Sequence, residues 1–525
     1  MHQLISSETP ASGNFCDLIL RHAESQPWVT ALSTDGDQPR AISFGELAVA
    51  ITHFRRRCRN RQWQPGEPVV LMLKPTPALY ISVLGLLAEG MIPVFIDRGL
   101  GSRRMLQALK LSGARRVIAN DRLVKIGRLL TAIRPVRWYT EASLLPHSDV
   151  SVFGDWQWGE PIAEHAHGLI SYTSGTTGRP KGADRTHTSL IAQHQAIRSH
   201  WPDQGTDVDM TCLPILVLHN LCCGMPSILP DMDFAAPASV NGHTILKQIH
   251  QHDVSRISGA PAFIKRVADA VDQLPPPSLQ SVRIGGAPVG SKLARHLAHT
   301  FPDSDIAIVY GSTEAEPIAH IAAQHIAADD GVGYPVGKPV PQTSLMRIAE
   351  QAQIDSEATL KQLQVANDEP GEIVVCGPHV LRGYVNDPDA TRENKIPGAN
   401  GDVWHRTGDL ATVDSQGNLR LLGRRSDRLE WQDRTLLPFT LERQLQDLQT
   451  IRQAALVQAA PGKPPRLFVS LEPECEDKTA AVRLCKTLLN QANLPDTEVK
   501  VMQQLPVDSR HNSKILRAPL KKRCT

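Results

Sequence analysis

The chain has 525 residues, too many for one compact core, so at least two domains are expected. Its hydrophobic fraction of 41% and charged fraction of 21% are those of an ordinary globular protein, not a membrane or disordered one. The net charge of +2, from 56 basic and 54 acidic residues, argues against a nucleic-acid binder, which carries a strong basic excess.

The N-terminus, Met1-His2-Gln3-Leu4-Ile5-Ser6-Ser7, lacks the charged-then-apolar order of a signal peptide. Nine cysteines are scattered without a CxxC pair, so reduced thiols and a cytoplasmic location are expected. The basic run Arg55-Arg56-Arg57-Cys58-Arg59-Asn60-Arg61 follows Leu47, Ile51 and Phe54 at helical spacing and reads as a solvated helix face. The tail Lys521-Lys522-Arg523 reads the same way. From about residue 44 to 427, short apolar runs alternate with helical stretches. Residues 69–73 predict a buried strand, 79–87 a helix, 93–96 the next strand, and 116–119, 283–286 and 306–310 further strands. Strands separated by helices imply parallel sheets covered on their faces.

Between Asp209 and Asp231 no residue is charged, but Pro214, Pro226 and Pro230 interrupt the stretch. A buried strand–turn–helix passage near a ligand tunnel fits better than a membrane helix. Within it His219 has two open readings, a substrate-facing group or a buried, hydrogen-bonded one. Residues 349–370 are polar and acidic and read as an exposed excursion. Residues 408–425 read as a hairpin around the turn Asp414-Ser415-Gln416-Gly417-Asn418. After Arg424-Arg425-Ser426-Asp427 a new unit begins, with a helix at 440–448, strands at 454–458 and 467–471, a helix from Lys478 and a strand at 498–502. The expected organisation is α/β. A large N-terminal domain of helix-covered β-sheets (1–425) precedes a hinge (426–427) and a small, mobile α+β C-terminal domain (428–525).

The densest chemical signal is Ser171-Tyr172-Thr173-Ser174-Gly175-Thr176-Thr177-Gly178-Arg179-Pro180-Lys181-Gly182. Hydroxyls, glycines and one lysine after an apolar strand make a loop of donors suited to phosphate oxygens. A nucleotide P-loop needs glycine just before the lysine and Ser or Thr just after it; Pro180 and Gly182 stand there instead, which disfavours a P-loop kinase or ATPase. Residues 172–182, followed by Thr186-His187-Thr188-Ser189-Leu190, resemble the signature of the adenylate-forming superfamily. That group contains acyl-CoA synthetases, adenylation domains of peptide synthetases and luciferases. Further matches run in order to the C-terminus, so the resemblance covers nearly the whole chain.

The resemblance implies a role for each matching segment. In Tyr310-Gly311-Ser312-Thr313-Glu314, at the carboxyl end of a predicted strand, the tyrosine packs on adenine, the threonine touches the α-phosphate and Glu314 holds Mg2+. Gly286, Ala287 and Pro288 line the adenine pocket. Asp409 of Arg406-Thr407-Gly408-Asp409-Leu410 accepts from the ribose hydroxyls, with Arg424 as a second ribose contact. Thr173, Ser174, Gly175, Thr176, Thr177, Gly178 and Lys181 cradle phosphate, and Lys514 reaches into the cleft to touch both the acid and the α-phosphate. ATP and Mg2+ are thus the implied cofactors, a small-molecule carboxylic acid the partner, and acyl-AMP with pyrophosphate the products.

The fate of the adenylate has more than one reading. Thioester-forming relatives carry a Gly-containing basic segment after the hinge. Here Leu429-Glu430-Trp431-Gln432-Asp433-Arg434-Thr435 lacks both that glycine and the usual lysine. Asp97-Arg98-Gly99-Leu100-Gly101 and residues 506–515 resemble the bacterial branch that contains the β-lactone synthetases of olefin biosynthesis. Those enzymes adenylate a β-hydroxy acid and let its own hydroxyl displace AMP. The alternatives are a ligase using CoA or a phosphopantetheine carrier protein as acceptor, and a non-catalytic adenylate-binding homologue.

Overall fold

Runs such as Val69-Val70-Leu71 have no polar residue to turn toward water, so they form strands buried on both faces, and helices must cover them. In the computed structural model, which describes residues 9–36, 39–130, 136–146, 150–174, 179–272, 274–351, 353–508 and 513–524, they do. A six-stranded sheet runs in the order Arg137–Thr140, Arg116–Ala119, Pro68–Met72, Ile92–Ile96, His167–Ser174, Pro180–Thr186. Every pair is parallel except the last, where the chain turns back on itself. The helix Pro77–Ala88 is buried along nearly its whole length. It lies against the helix Phe44–Asn60 so closely that a Cβ on Gly85 would meet the Phe54 ring at 2.4 Å. Only glycine fits there.

A 14-stranded second sheet has a parallel middle: Thr30–Thr34, Ser227–Leu229, Asp209–Thr211, Arg256–Gly259, Ser281–Gly285 and Asp305–Ser312. Beyond Asp305–Ser312 it turns antiparallel through Ala315–Ala322, Tyr334–Pro339, Leu419–Arg424, Val403–Val413, Gly371–Cys376 and Ser344–Ile348. The uncharged passage forms Asp209–Thr211, the helix Pro214–Cys223 and Ser227–Leu229. Among the described residues no helix is long and apolar enough to cross a membrane.

After the turn Arg425–Asp427 come the hairpin Leu429–Trp431/Arg434–Leu436 and the helix Pro438–Gln446. A three-stranded sheet, Ile451–Val457, Arg466–Leu471 and Glu498–Met502, then packs with the helix Lys478–Gln491. This part has its own apolar cluster, including Leu441, Leu445, Leu456, Leu467 and Leu489. It docks on the rest through Arg443, whose guanidinium is 1% exposed, donates to the carbonyls of Gly331 and Gly333 at 2.6 Å, and pairs with Asp329. Tyr334 donates to Gln446 at 3.0 Å and Ser291 to Asp447 at 2.7 Å across the same contact.

Two readings of the sequence need correction. The basic run is not wholly a solvated face: Arg55 is buried, with its Nε 2.5 Å from Glu89, and Arg57 donates to the carbonyls of Ser143 and Leu145. The helix carries these guanidinium groups inward, and a facing carboxylate and carbonyls make that burial tolerable. The polar stretch 349–370 contains the helix Glu357–Gln362, which buries Leu360 in a cluster with Ile348, Ile354, Val374, Ile396 and Trp404. The hairpin at 429–436 lacks the usual glycine signal because Gln432 and Asp433 themselves take φ of 50° and 58°.

Candidate active site

The strand Asp305–Ser312 delivers Tyr310 to the carboxyl end of the parallel strands, beside Gly285 in register with Val309. Ligands gather at such ends because the loops that leave them diverge to either face. Tyr310 donates to Asp409 Oδ2 at 2.8 Å, and Arg424 Nε lies 3.0 Å from Asp409 Oδ1. Asp409 and Arg424 face each other across the strands Val403–Val413 and Leu419–Arg424. The register of that pair shifts beside Gly423, at φ +149°, and Gly408, at φ +73°, lies in a second shift, against Gly371–Cys376. Burial, with Asp409 adding to it, pushes the Tyr310 phenol well up, while Asp409 holds Arg424 firmly protonated.

Lys514 joins this group. Val507 and Ile515 form a bridge, and the Asp508 carboxylate accepts from the backbone of Lys514 at 2.9 Å, which shapes the loop around the lysine. Ser513 accepts from the Ala262 amide at 3.3 Å, so the loop touches the helix Pro261–Ala268. Lys514 keeps exposed surface, yet its ammonium is shifted below the ordinary lysine range. Repulsion from Arg424 is the first cause and burial the second; Asp409, Asp508 and Asp427 oppose both.

A second group centres on Glu314. Tyr384 donates to Glu314 Oε1 at 2.8 Å, and the Leu381 amide donates to the Glu314 carbonyl at 2.8 Å. Burial pushes the Glu314 carboxyl up, but His405, Lys395 and the Tyr384 hydroxyl outweigh it and hold it at about 2. Burial holds His405 itself at about 3, so near neutral pH it is neutral, and the Tyr384 hydroxyl and a half-protonated Lys395 are the partners that remain. Burial lowers Lys395 to about 7 against the pull of Glu314. Lys181 Nζ lies 5.3 Å from the centre of the Tyr384 ring and 4.0 Å from Glu393. Tyr384 therefore stands between the hairpin His167–Ser174/Pro180–Thr186 and Glu314. Arg185 ties the same parts together, donating to the Thr313 carbonyl at 3.0 Å and to Ser171 Oγ at 3.2 Å.

Of the residues singled out from sequence, the fold thus gathers Tyr310, Asp409, Arg424 and Lys514 in one cluster and Glu314 with Lys181 in another. Gly311, Ser312 and Thr313 link the two. Gly286, at φ +89°, Ala287 and Pro288 follow the strand next to Tyr310. Thr173 pairs with Lys181 and Ser174 with Pro180 in the hairpin. Gly175, Thr176, Thr177 and Gly178, with the side chain of Ser174, lie outside the described residues, as do 509–512. His219 is buried and bonded to His194, 3.0 Å away, which decides between its two readings. Sequence reasoning missed Tyr384, Lys395, His405 and Arg185. His405 lay four residues before Asp409 in the same strand and was within reach of the motif; nothing local marked the other three.

The sequence profile of the family described as AMP-binding enzyme matches residues 19–385. An olefin β-lactone synthetase of Xanthomonas campestris is 28% identical over 492 residues, covering 87% of this chain and 86% of the relative. A feruloyl-CoA synthase of an Amycolatopsis species is 26% identical over 459 residues, covering 83% and 84%. Among solved structures, the o-succinylbenzoate CoA synthetase of Bacillus subtilis, in complex with its acyl-adenylate intermediate, superposes with a TM-score of 0.79. That match has 22% identity and covers 96% of this chain and 97% of that one.

Proposed function

The chain belongs to the AMP-binding enzyme family, and from that premise we propose that it activates a fatty or β-hydroxy fatty acid as its acyl-adenylate and then closes it to a β-lactone. The observation that supports the first step is the meeting of Lys514 with Asp409 and Arg424 at the sheet's carboxyl end, with Glu314 held ionised nearby.

In that step a carboxylate oxygen attacks the α-phosphorus of ATP in line, and pyrophosphate leaves with the electrons of the broken P–O bond. Both partners are anions, so the protein's work is to hold them together and to neutralise developing charge. Lys514, drawn to the cluster by three carboxylates, is the cation for the acid and the α-phosphate. Lys181 serves the outer phosphates. Asp409 spends one lone pair on Tyr310 and one on Arg424, and two remain for the ribose hydroxyls. No general base is required, because the nucleophile is already ionised. Glu314, ionised to about pH 2, suits a hard divalent cation that also takes phosphate oxygens; Mg2+ bound there would supply charge neutralisation on the triphosphate.

In the second step the substrate's own β-hydroxyl attacks the acyl carbonyl, AMP leaves with the bridging oxygen, and the hydroxyl proton passes to solvent. Two observations support this acceptor. The hairpin after Asp427 has no glycine and no lysine and carries Glu430 and Asp433 beside Arg434, and the Xanthomonas relative is named for β-lactone formation. The feruloyl-CoA synthase relative favours a second reading, with CoA or a carrier protein as acceptor. Mass spectrometry of products from ATP, Mg2+ and a β-hydroxy fatty acid, with and without CoA, tests the choice. β-Lactone and AMP without CoA are expected; acyl-CoA formed only when CoA is added contradicts the closure reading.

A further inference from the structure

The helices His187–His200 and Pro214–Cys223 press two histidines and a cysteine together in a place the adenylation chemistry does not use. His194 and His219 are 2% and 4% exposed. Their Nδ1 atoms are 3.0 Å apart, and His219 Nε2 lies 3.7 Å from Cys223 Sγ. One ligand atom from each of the three falls within 4.8 Å of the others, an arrangement found only here among the described residues. The histidine pair shares a single hydrogen bond, which leaves His194 Nε2 buried without a partner. A buried polar atom left unpaired is costly, and native proteins rarely leave one without a reason.

The spacing supplies a reason. His219 and Cys223 stand four residues apart on one helix, so their side chains share a face. Zinc bonds of about 2.0–2.1 Å to nitrogen and about 2.3 Å to sulfur put N and S about 3.6 Å apart around a tetrahedral centre, and two nitrogens about 3.3 Å apart. The 3.7 Å between His219 Nε2 and Cys223 Sγ is within a few tenths of the zinc value, and with Nε2 given to the ion, a turn of the His194 ring that gives up its bond to His219 Nδ1 brings a third ligand atom in from within 4.8 Å. Burial keeps both imidazoles neutral, the form that coordinates. Asp203 faces the Cys223 thiol and is itself held by Arg198 Nε at 2.8 Å, so a carboxylate stands beside the three ligands.

We propose that His194, His219 and Cys223 form a binding site for one zinc-class divalent ion, which clips the helix following the phosphate hairpin to the helix following Asp209–Thr211. Binding releases the thiol proton to solvent and forms a metal–thiolate bond; no redox change is involved.

Cobalt(II) titration of the purified full-length chain tests this directly. One cobalt per chain is expected, with a near-ultraviolet thiolate-to-metal charge-transfer band that zinc displaces. The band should vanish in Cys223→Ser and persist in Cys475→Ser, and zinc should raise the melting temperature of the wild type but not of Cys223→Ser. Absence of the band in cobalt-saturated wild type, or its survival in Cys223→Ser, overturns the proposal. If Cys223→Ser does not fold, alkylation of the wild type decides: zinc should slow modification of Cys223, and equal rates with and without zinc overturn the site.

Discussion

Lys514 enters the site under tension, repelled by Arg424 and attracted by Asp409, Asp508 and Asp427. That is the environment of a cation waiting for an anionic partner. Lys514→Ala is expected to reduce acid-dependent ATP–pyrophosphate exchange by ~10²–10³-fold or more while ATP binding stays measurable; exchange near the wild-type rate contradicts its role. Tyr384 donates to Glu314 and, in the proposed reaction, positions it. Losing a hydrogen bond to a charged group costs about 1.5–3 kcal/mol, so Tyr384→Phe should raise the Mg2+ concentration that exchange requires by about 10- to 100-fold. An unchanged Mg2+ dependence would count against that placement. At this scale the motif residues were legible as candidates because their types and order follow the chemistry proposed for them. Tyr384, Lys395 and Arg185 were not, because each acts through a partner that is distant in sequence.

Elements with a strong period were equally legible. The helix Pro77–Ala88 and the hairpin around residues 414–418 follow from apolar runs and turn residues, and both lie where expected. The hairpin Leu429–Trp431/Arg434–Leu436 was hidden because non-glycine residues make its turn. Left-handed backbone is tolerable for Asp and costly for a β-branched side chain. Asp433→Val should therefore lower stability by about 1–2 kcal/mol, and Asp433→Gly should not; denaturant midpoints measure both. Equal midpoints for the two variants would contradict the turn geometry. The helix at 357–362 was missed for a different reason, since a single buried leucine anchors an otherwise polar turn.

For the whole molecule, α/β layering was readable from alternating strands and helices, whereas the buried charges and histidines that pin it together depend on long-range packing. Burial holds His187 and His200 at about 4 and His405 at about 3, below the ordinary 6.5. A lowered folded-state value means the unfolded chain takes up protons first. The stability these groups contribute is complete above about pH 6.5 and is lost as pH falls toward 4 and then 3. Each contributes a slope of about 1.4 kcal/mol per pH unit in that window. Melting temperatures should fall progressively below pH 6.5; a flat profile down to pH 5 would contradict the burial of these rings. The central claim, that a carboxylate attacks the α-phosphorus of ATP, has its own direct measurement. With an acid isotopically labelled in both carboxyl oxygens, turnover should yield AMP carrying one labelled oxygen on its phosphate, alongside pyrophosphate. Unlabelled AMP, or ADP in place of AMP, would contradict the account.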